Sequence, residues 1–392
     1  MDFIFLINIF ALLFSFFVAG ALLGALFSKM LRKKLIHALH LTRTLYVKRL
    51  SLRRSSHNPI LKPGKHPWMA EAVLNPAALV LGDRTHLLYR AIGTDGVSRL
   101  GYASSSDGII FNERLPYPVY VAQKPRNLPG HVRKYSPVLY PSGGSWGGCE
   151  DPRMVSIEGR IYVTFNMFDG WDYIRVAAIS IAESDFLTKQ FWKWDGPHIL
   201  SRPGELQKNW VIFPEKIGGK YAILHSITPT VEIAYRDAIE DVGVTEPFIK
   251  SWVGSRSALP AREDSWDSFV RGAGPPPLKT DHGWLLFYHA IDEREPGRYK
   301  LGAMLLDLNE PTKILHRVAA PILSPDETYE NHGKPGIVYA CGAVVREGTL
   351  FVYYGGADKV VCVATTALDT FVDALIRGVQ PELVSMTHAQ TD

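Results

Sequence analysis

The amino-acid sequence predicts an all-β fold: a five-bladed β-propeller with an N-terminal transmembrane helix. Three observations lead there. A strand-pair pattern recurs five times at nearly even spacing. The chain is rich in residues that fill strands and turns, with 9 Trp, 17 Tyr, 18 Phe, 33 Gly and 26 Pro among 392 residues. Its first 28 residues are almost wholly apolar.

The apolar run covers 3–27 and is interrupted only by Asn8 and Ser15 among clearly polar side chains. At about 1.5 Å per residue, a helix of that length crosses a hydrocarbon core of ~30 Å. A cleaved signal peptide is the rival reading. It wants basic residues before the run and a shorter apolar core, and neither is present. Residues 1–28 are therefore expected to be an anchor that contacts the lipid bilayer through 3–27.

Residues 29–57 read as a basic juxtamembrane linker. Nine Lys or Arg within 1–54 oppose Asp2 alone, so the formal +4 of the chain is +8 there and −4 over the rest. The positive-inside rule then predicts a single-pass, membrane-anchored protein with a cytoplasmic main domain. The acidic remainder gives no reason to expect nucleic-acid binding. Cys149, Cys341 and Cys362 cannot make a disulfide framework, and no Cys/His spacing resembles a metal site.

The propeller is assigned to 58–378 and a tail to 379–392. Its repeated unit is an apolar strand ending in an aromatic residue or His, a polar loop, and a second strand. The pairs are 86–91 with 99–105, 161–166 with 174–184, 221–226 with 232–236, 284–290 with 299–307, and 350–355 with 360–366. The markers Tyr89, Phe165, His225, His289 and Tyr353 lie 76, 60, 64 and 64 residues apart. A two-sheet sandwich predicts shorter spacing without this internal resemblance.

Inner strands of a propeller aim their ends at a central channel, so polar residues recurring there converge. Asn75 and Arg90 come from the first unit, and Glu150, Asp151 and Arg153 from the second. Lys208, Glu215 and Lys216 come from the third, Arg271 and His289 from the fourth, and Glu330 and Asp358 from the fifth. Trp146, Trp171, Tyr173 and Tyr354 are placed at the mouth. Carboxylates, cations and aromatics together suit a sugar plus an anionic group such as phosphate. Gly143-Gly144-Ser145-Trp146-Gly147 has the spacing of a nucleophile elbow. A true elbow wants a helix directly after the serine, and Pro152 follows too soon.

These residues sit in ordered motifs. They include Asn58-Pro59-Ile60-Leu61, Asn75-Pro76-Ala77, Leu88-Tyr89-Arg90 and Glu150-Asp151-Pro152-Arg153. Further along come Phe213-Pro214-Glu215-Lys216, Gly272-Ala273-Gly274-Pro275-Pro276, Tyr288-His289, Tyr329-Glu330 and Tyr353-Tyr354-Gly355-Gly356-Ala357-Asp358. From about Asn58 to Thr370 the chain resembles glycoside hydrolase family 130, the β-mannoside phosphorylases and β-mannosidases, whose members are five-bladed propellers.

The resemblance implies that Asp151 is the catalytic proton donor, acting through the 3-hydroxyl of the mannosyl unit. Asn75, Arg90 and Asp358 would hold that unit, with Glu150, Arg153 and Glu330 as further substrate contacts. Lys208, Arg271 and His289 match the positions that bind inorganic phosphate, the implied co-substrate; no other cofactor and no metal is implied. The implied partner is a β-mannoside oligosaccharide or glycoconjugate, cleaved with inversion to mannose 1-phosphate.

One departure is visible. The phosphorylases usually follow the His of the third blade with an arginine, and here the pair is His225-Ser226. Hydrolysis by water, with Glu330 as base, therefore stands as an alternative. So do a membrane-tethered mannosyltransferase using the same site and a non-catalytic sugar-binding propeller.

Overall fold

Short apolar runs bounded by turn residues become strands buried on both faces, and their pairing explains how distant loops meet. The computed structural model of the chain describes residues 52–122, 145–169, 174–201, 207–239, 253–260, 262 and 265–378. A two-residue strand, β1 (Arg53–Arg54), comes first. The first antiparallel unit follows: β2 (Ala72–Leu81), β3 (Arg84–Ile92), β4 (Val97–Ser105) and β5 (Glu113–Arg114). The second holds β6 (Gly147–Ile157), β7 (Arg160–Phe168), β8 (Ile174–Ala182), a short helix α1 (Glu183–Leu187) and β9 (Asp195–Ile199). The third is β10 (Val211–Ile212), β11 (Tyr221–Ser226), β12 (Thr230–Arg236) and β13 (Val253–Ala258).

In the fourth unit, β14 (Phe269–Ala273) and β15 (Leu278–Thr280) both pair with β16 (Gly283–Ile291); β16 also pairs with β17 (Lys300–Leu306), and β17 with β18 (Ile314–Arg317). The fifth is β19 (Val338–Arg346), β20 (Thr349–Gly356) and β21 (Val360–Ala367), followed by helix α2 (Leu368–Ile376). β1 pairs with β21, Arg53 opposite Thr365, so one sheet contains strands from both ends of the described chain. This is the connectivity by which a propeller closes its ring.

The middle strands explain the apolar runs of the sequence. Every residue of β16, GWLLFYHAI, is buried, because neighbouring sheets cover both of its faces. Glu158-Gly159 and Glu347-Gly348 turn their hairpins with positive φ at both positions, 51° and 77°, then 47° and 73°. That geometry matches the twist of two-residue hairpins. The first two units are joined by a parallel contact, Val97 with Gly147 and Ser98 with Gly148. A Cβ on Gly148 would lie 2.1 Å from the Ser98 carbonyl oxygen, so a glycine is required there.

The inner strands share a defect that builds the site. Register breaks between Leu74 and Ala77 in β2, Glu150 and Arg153 in β6, Val270 and Gly272 in β14, and Ala340 and Gly342 in β19. In the first two, a proline (Pro76, Pro152) cannot donate to the ladder, and the residue before it takes a left-handed φ: Asn75 at 47°, Asp151 at 52°.

The fold corrects the N-terminal expectation. Among the described residues no helix is long and apolar enough to cross a membrane. The two α-helices among the described residues have five and nine residues, and the longer reaches about 13 Å, far short of a ~30 Å core. The described structure therefore gives no support to the transmembrane helix, the bilayer contact through 3–27 or the membrane-anchored placement. Residues 1–51, which carried those expectations, and the tail 379–392 lie outside the described residues. The linker is also corrected at its C-terminal end, because Arg53 and Arg54 are a strand of the fifth unit.

Candidate active site

Three of the inner-strand bulges deliver their residues to one cavity of about 460 Å³. Asn75, Asp151 and Arg271 line it, together with Arg90, Lys208 and Asp358. Asp151 is 7 % exposed, and its Oδ1 accepts hydrogen bonds from Asn75 Nδ2 at 2.7 Å and from Arg90 at 3.2 Å. Burial alone would favour the neutral acid. The guanidiniums of Arg90 and Arg153, the Asn75 amide and Lys208 outweigh it and hold the carboxyl below its ordinary range.

The Asn75 amide fits because residue 355 is glycine: a Cβ there would lie 2.0 Å from Asn75 Oδ1. Asp358 occupies the turn between β20 and β21 with φ 51°, and Ala357 beside it has φ 52°. Burial pushes the Asp358 carboxyl above its ordinary value, against the pull of Lys334 and Arg90. Lys334 Nζ stands 3.6 Å from Asp358 Oδ2 and also lines the cavity.

Two further cations line the cavity. Lys208 Nζ is 3.3 Å from Glu150 Oε2 and 5.5 Å from the Phe168 ring centre. Arg271, among the described residues, has no carboxylate partner; it packs over the Phe269 and Tyr299 rings at 5.0 and 5.7 Å. Ser226, where an arginine was expected for phosphate chemistry, lines the cavity beside His225, and its hydroxyl donates to the Thr228 carbonyl at 3.1 Å.

Four expected contacts lie behind the cavity wall instead of on it. Glu150 is fully buried and is not part of the cavity lining; its Oε1 accepts from Arg90 at 3.0 Å and from the Ser145 hydroxyl at 2.9 Å. It positions Arg90 and Lys208. Arg153 donates to the Asp151 carbonyl at 2.7 Å, Gly274 at 3.0 Å and Asn209 Oδ1 at 2.9 Å, tying the second, third and fourth units together.

Glu330 has no exposure and receives Arg54 through two bonds of 2.8 and 2.9 Å, with the Tyr354 hydroxyl at 2.8 Å. Arg54 also donates to the Ser324 carbonyl. That cluster locks β1 into the fifth sheet, so Glu330 has no access to a water in the cavity. His289 is buried with its ring 3.9 Å from that of Tyr339, and its Nε2 accepts from the Ala340 amide at 2.9 Å. Desolvation, with Arg153 nearby, lowers it to about 3, so it is a neutral ring and not a phosphate-binding cation.

Other expectations resolve in the same way. Tyr354 is buried against Glu330 and is not at a mouth, while Glu215 and Lys216 pair with Lys279 and Glu158 at the surface. Trp171 and Tyr173 lie outside the described residues. Ser145 is buried, bonded to Arg90 and Glu150, and leads into strand β6 instead of a helix, which removes the elbow reading. Among the described residues no cluster could hold a metal ion.

Lys334, Asn209, Tyr299 and Tyr339 were missed. Asn209 sits at φ 64°, its Oδ1 also accepting from Tyr339 at 2.9 Å. Only Lys334 has a local signal, the turn Gly333-Lys334-Pro335-Gly336.

Comparison with known proteins places these residues in context. The family model of glycoside hydrolase family 130, described as beta-1,4-mannooligosaccharide phosphorylase, matches residues 44–377. A 1,2-beta-oligomannan phosphorylase of Thermoanaerobacter sp. (strain X514) is 37% identical over 324 residues, covering 80% of this chain and 97% of that protein. A beta-1,2-mannobiose phosphorylase of the same organism is 34% identical over 328 residues, covering 80% and 96%. The solved structure of beta-1,2-mannobiose phosphorylase from Listeria innocua, in complex with beta-1,2-mannobiose, shares the fold. It has a TM-score of 0.64 at 24% identity, over 83% of this chain and 99% of that one.

Proposed function

Because the chain belongs to glycoside hydrolase family 130, we propose that it cleaves β-mannosides by inverting phosphorolysis, releasing mannose 1-phosphate. The observation that carries this reading is the pairing, in one cavity, of a buried Asp151 with the cations Lys208 and Arg271. Arg271 has no carboxylate partner among the described residues, which suits an incoming anion.

In this reading phosphate is held by Lys208 and Arg271 while Asn75, Arg90 and Asp358 bind the mannosyl unit. A phosphate oxygen forms the new bond to the anomeric carbon as the glycosidic C–O bond breaks on the opposite face. The leaving oxygen takes a proton that Asp151 supplies through the mannosyl 3-hydroxyl. Lys208 helps keep Asp151 ionised. A phosphate anion beside Lys208 offsets that pull and adds negative charge, which raises the affinity of Asp151 for the proton it must donate. Anion binding and acid competence are thereby coupled.

Hydrolysis loses its proposed base, because Glu330 is sealed against Arg54. The test is turnover of β-1,2- and β-1,4-mannobiose with and without phosphate. Phosphate-dependent release of α-mannose 1-phosphate is expected. Free mannose formed at equal rates without phosphate would overturn the reading.

A further inference from the structure

The loop between Thr328 and β19 does more than line the cavity. The Lys334 amide donates to the Ala357 carbonyl at 2.8 Å, and Gly333 lies so close that a Cβ there would sit 2.5 Å from the same oxygen. This loop is latched onto the turn that presents Asp358. The Lys334 side chain then reaches Asp358 Oδ2 at 3.6 Å while lining the cavity.

We propose that Lys334 is a positioning residue for the mannosyl subsite, fixing both the place and the ionised state of Asp358. This rests on the phosphorolysis reading only for its substrate. The charged groups facing Asp358 are Lys334 from the loop, Arg90 from β3 and Asp151 from β6. Of these two cations, Lys334 pulls harder than Arg90 against the burial that pushes the Asp358 carboxyl toward its neutral form. Ionised, Asp358 accepts hydrogen bonds from sugar hydroxyls through both oxygens; protonated, it has lost that capacity in part.

Lys334→Met removes the opposite charge and is expected to raise the Asp358 titration further. The test is mannose 1-phosphate affinity by calorimetry, with kcat/KM for mannobiose phosphorolysis, each from pH 5 to 9. The variant should bind more weakly by about tenfold or more near neutrality, with the deficit shrinking as pH rises. Lys334→Arg should restore most of the affinity, and in an Asp358→Asn background Lys334→Met should add no pH dependence. A deficit equal at every pH, or none, overturns the proposal. Wild-type protein that binds sugar but shows no phosphate-dependent turnover sinks the phosphorolysis reading, and the binding profile still decides the role of Lys334.

Discussion

Asp151 and Glu330 look alike in sequence and differ in what the fold does with them. Each is a buried carboxylate bonded to an arginine, Asp151 to Arg90 at 3.2 Å and Glu330 to Arg54 at 2.8 Å. Asp151 sits on a strand bulge that turns it into the cavity, where one face remains for a ligand. Glu330 ends a short 3-10 turn, and its oxygens are taken up by Arg54, Tyr354 and the Glu327 amide. Burial and an ion pair therefore do not mark a catalytic carboxylate; an oxygen left facing a cavity does.

The sharpest way to break the comparison is to neutralise each carboxylate without changing its shape. Asp151→Asn removes the proposed proton donor and is expected to lower kcat by about 10²- to 10⁴-fold, as loss of a general acid does. Its melting temperature should change little compared with that loss of rate. Unimpaired turnover would remove Asp151 from the chemistry.

Glu330→Gln should do the reverse. It leaves the half-buried Arg54 without its counter-ion, which costs about 1–3 kcal/mol of stability, while KM for mannobiose and phosphate stays near wild type. Denaturant midpoints and steady-state kinetics on the same preparation separate the two effects. A large rise in KM with unchanged stability would return Glu330 to the site.

Much of this division was legible, and the failures have physical causes. Asn75 and Asp151 were placed by their recurrence at the ends of inner strands, while the bulge before each proline that turns them into the cavity went unread. Arg90, Lys208, Arg271 and Asp358 followed from their places at the ends of repeated strands. Glu330, Glu150, Arg153 and His289 occupy equally suggestive motifs, but whether a side chain faces the cavity or the seam between sheets depends on packing that no local pattern encodes. Arg54 was hidden by its basic neighbours: a run of charge reads as linker until pairing with β21 makes its last residues a strand.

His289 sharpens the comparison through pH. Its folded value, near 3, lies below the ordinary 6.5, so the buried ring is favoured only while neutral. Its contribution to stability is complete above about 6.5 and is lost as pH falls from there toward 3. His289→Gln keeps an acceptor for the Ala340 amide and removes the titration. The expected outcome is a shallower fall in melting temperature across that window. An identical slope would show that His289 is not buried as a neutral ring.

The smallest effect is a gain. Ser226 lines the cavity where a guanidinium was expected, next to His225, whose Nδ1 is 3.8 Å from Glu232 Oε2. Ser226→Arg adds a cation to the cavity that Arg271 also lines. A charge-assisted bond contributes about 1.5–3 kcal/mol. The new side chain gives up conformational freedom, and Glu232 competes for its charge, which leaves a net gain of about 1 kcal/mol. KM for phosphate should therefore fall about fivefold, with KM for mannobiose unchanged. If the introduced guanidinium instead pairs with Glu232 as completely as Arg54 does with Glu330, phosphate KM will not move. The added arginine would then be one more structural ion pair, which places the boundary between seam and site at Glu232.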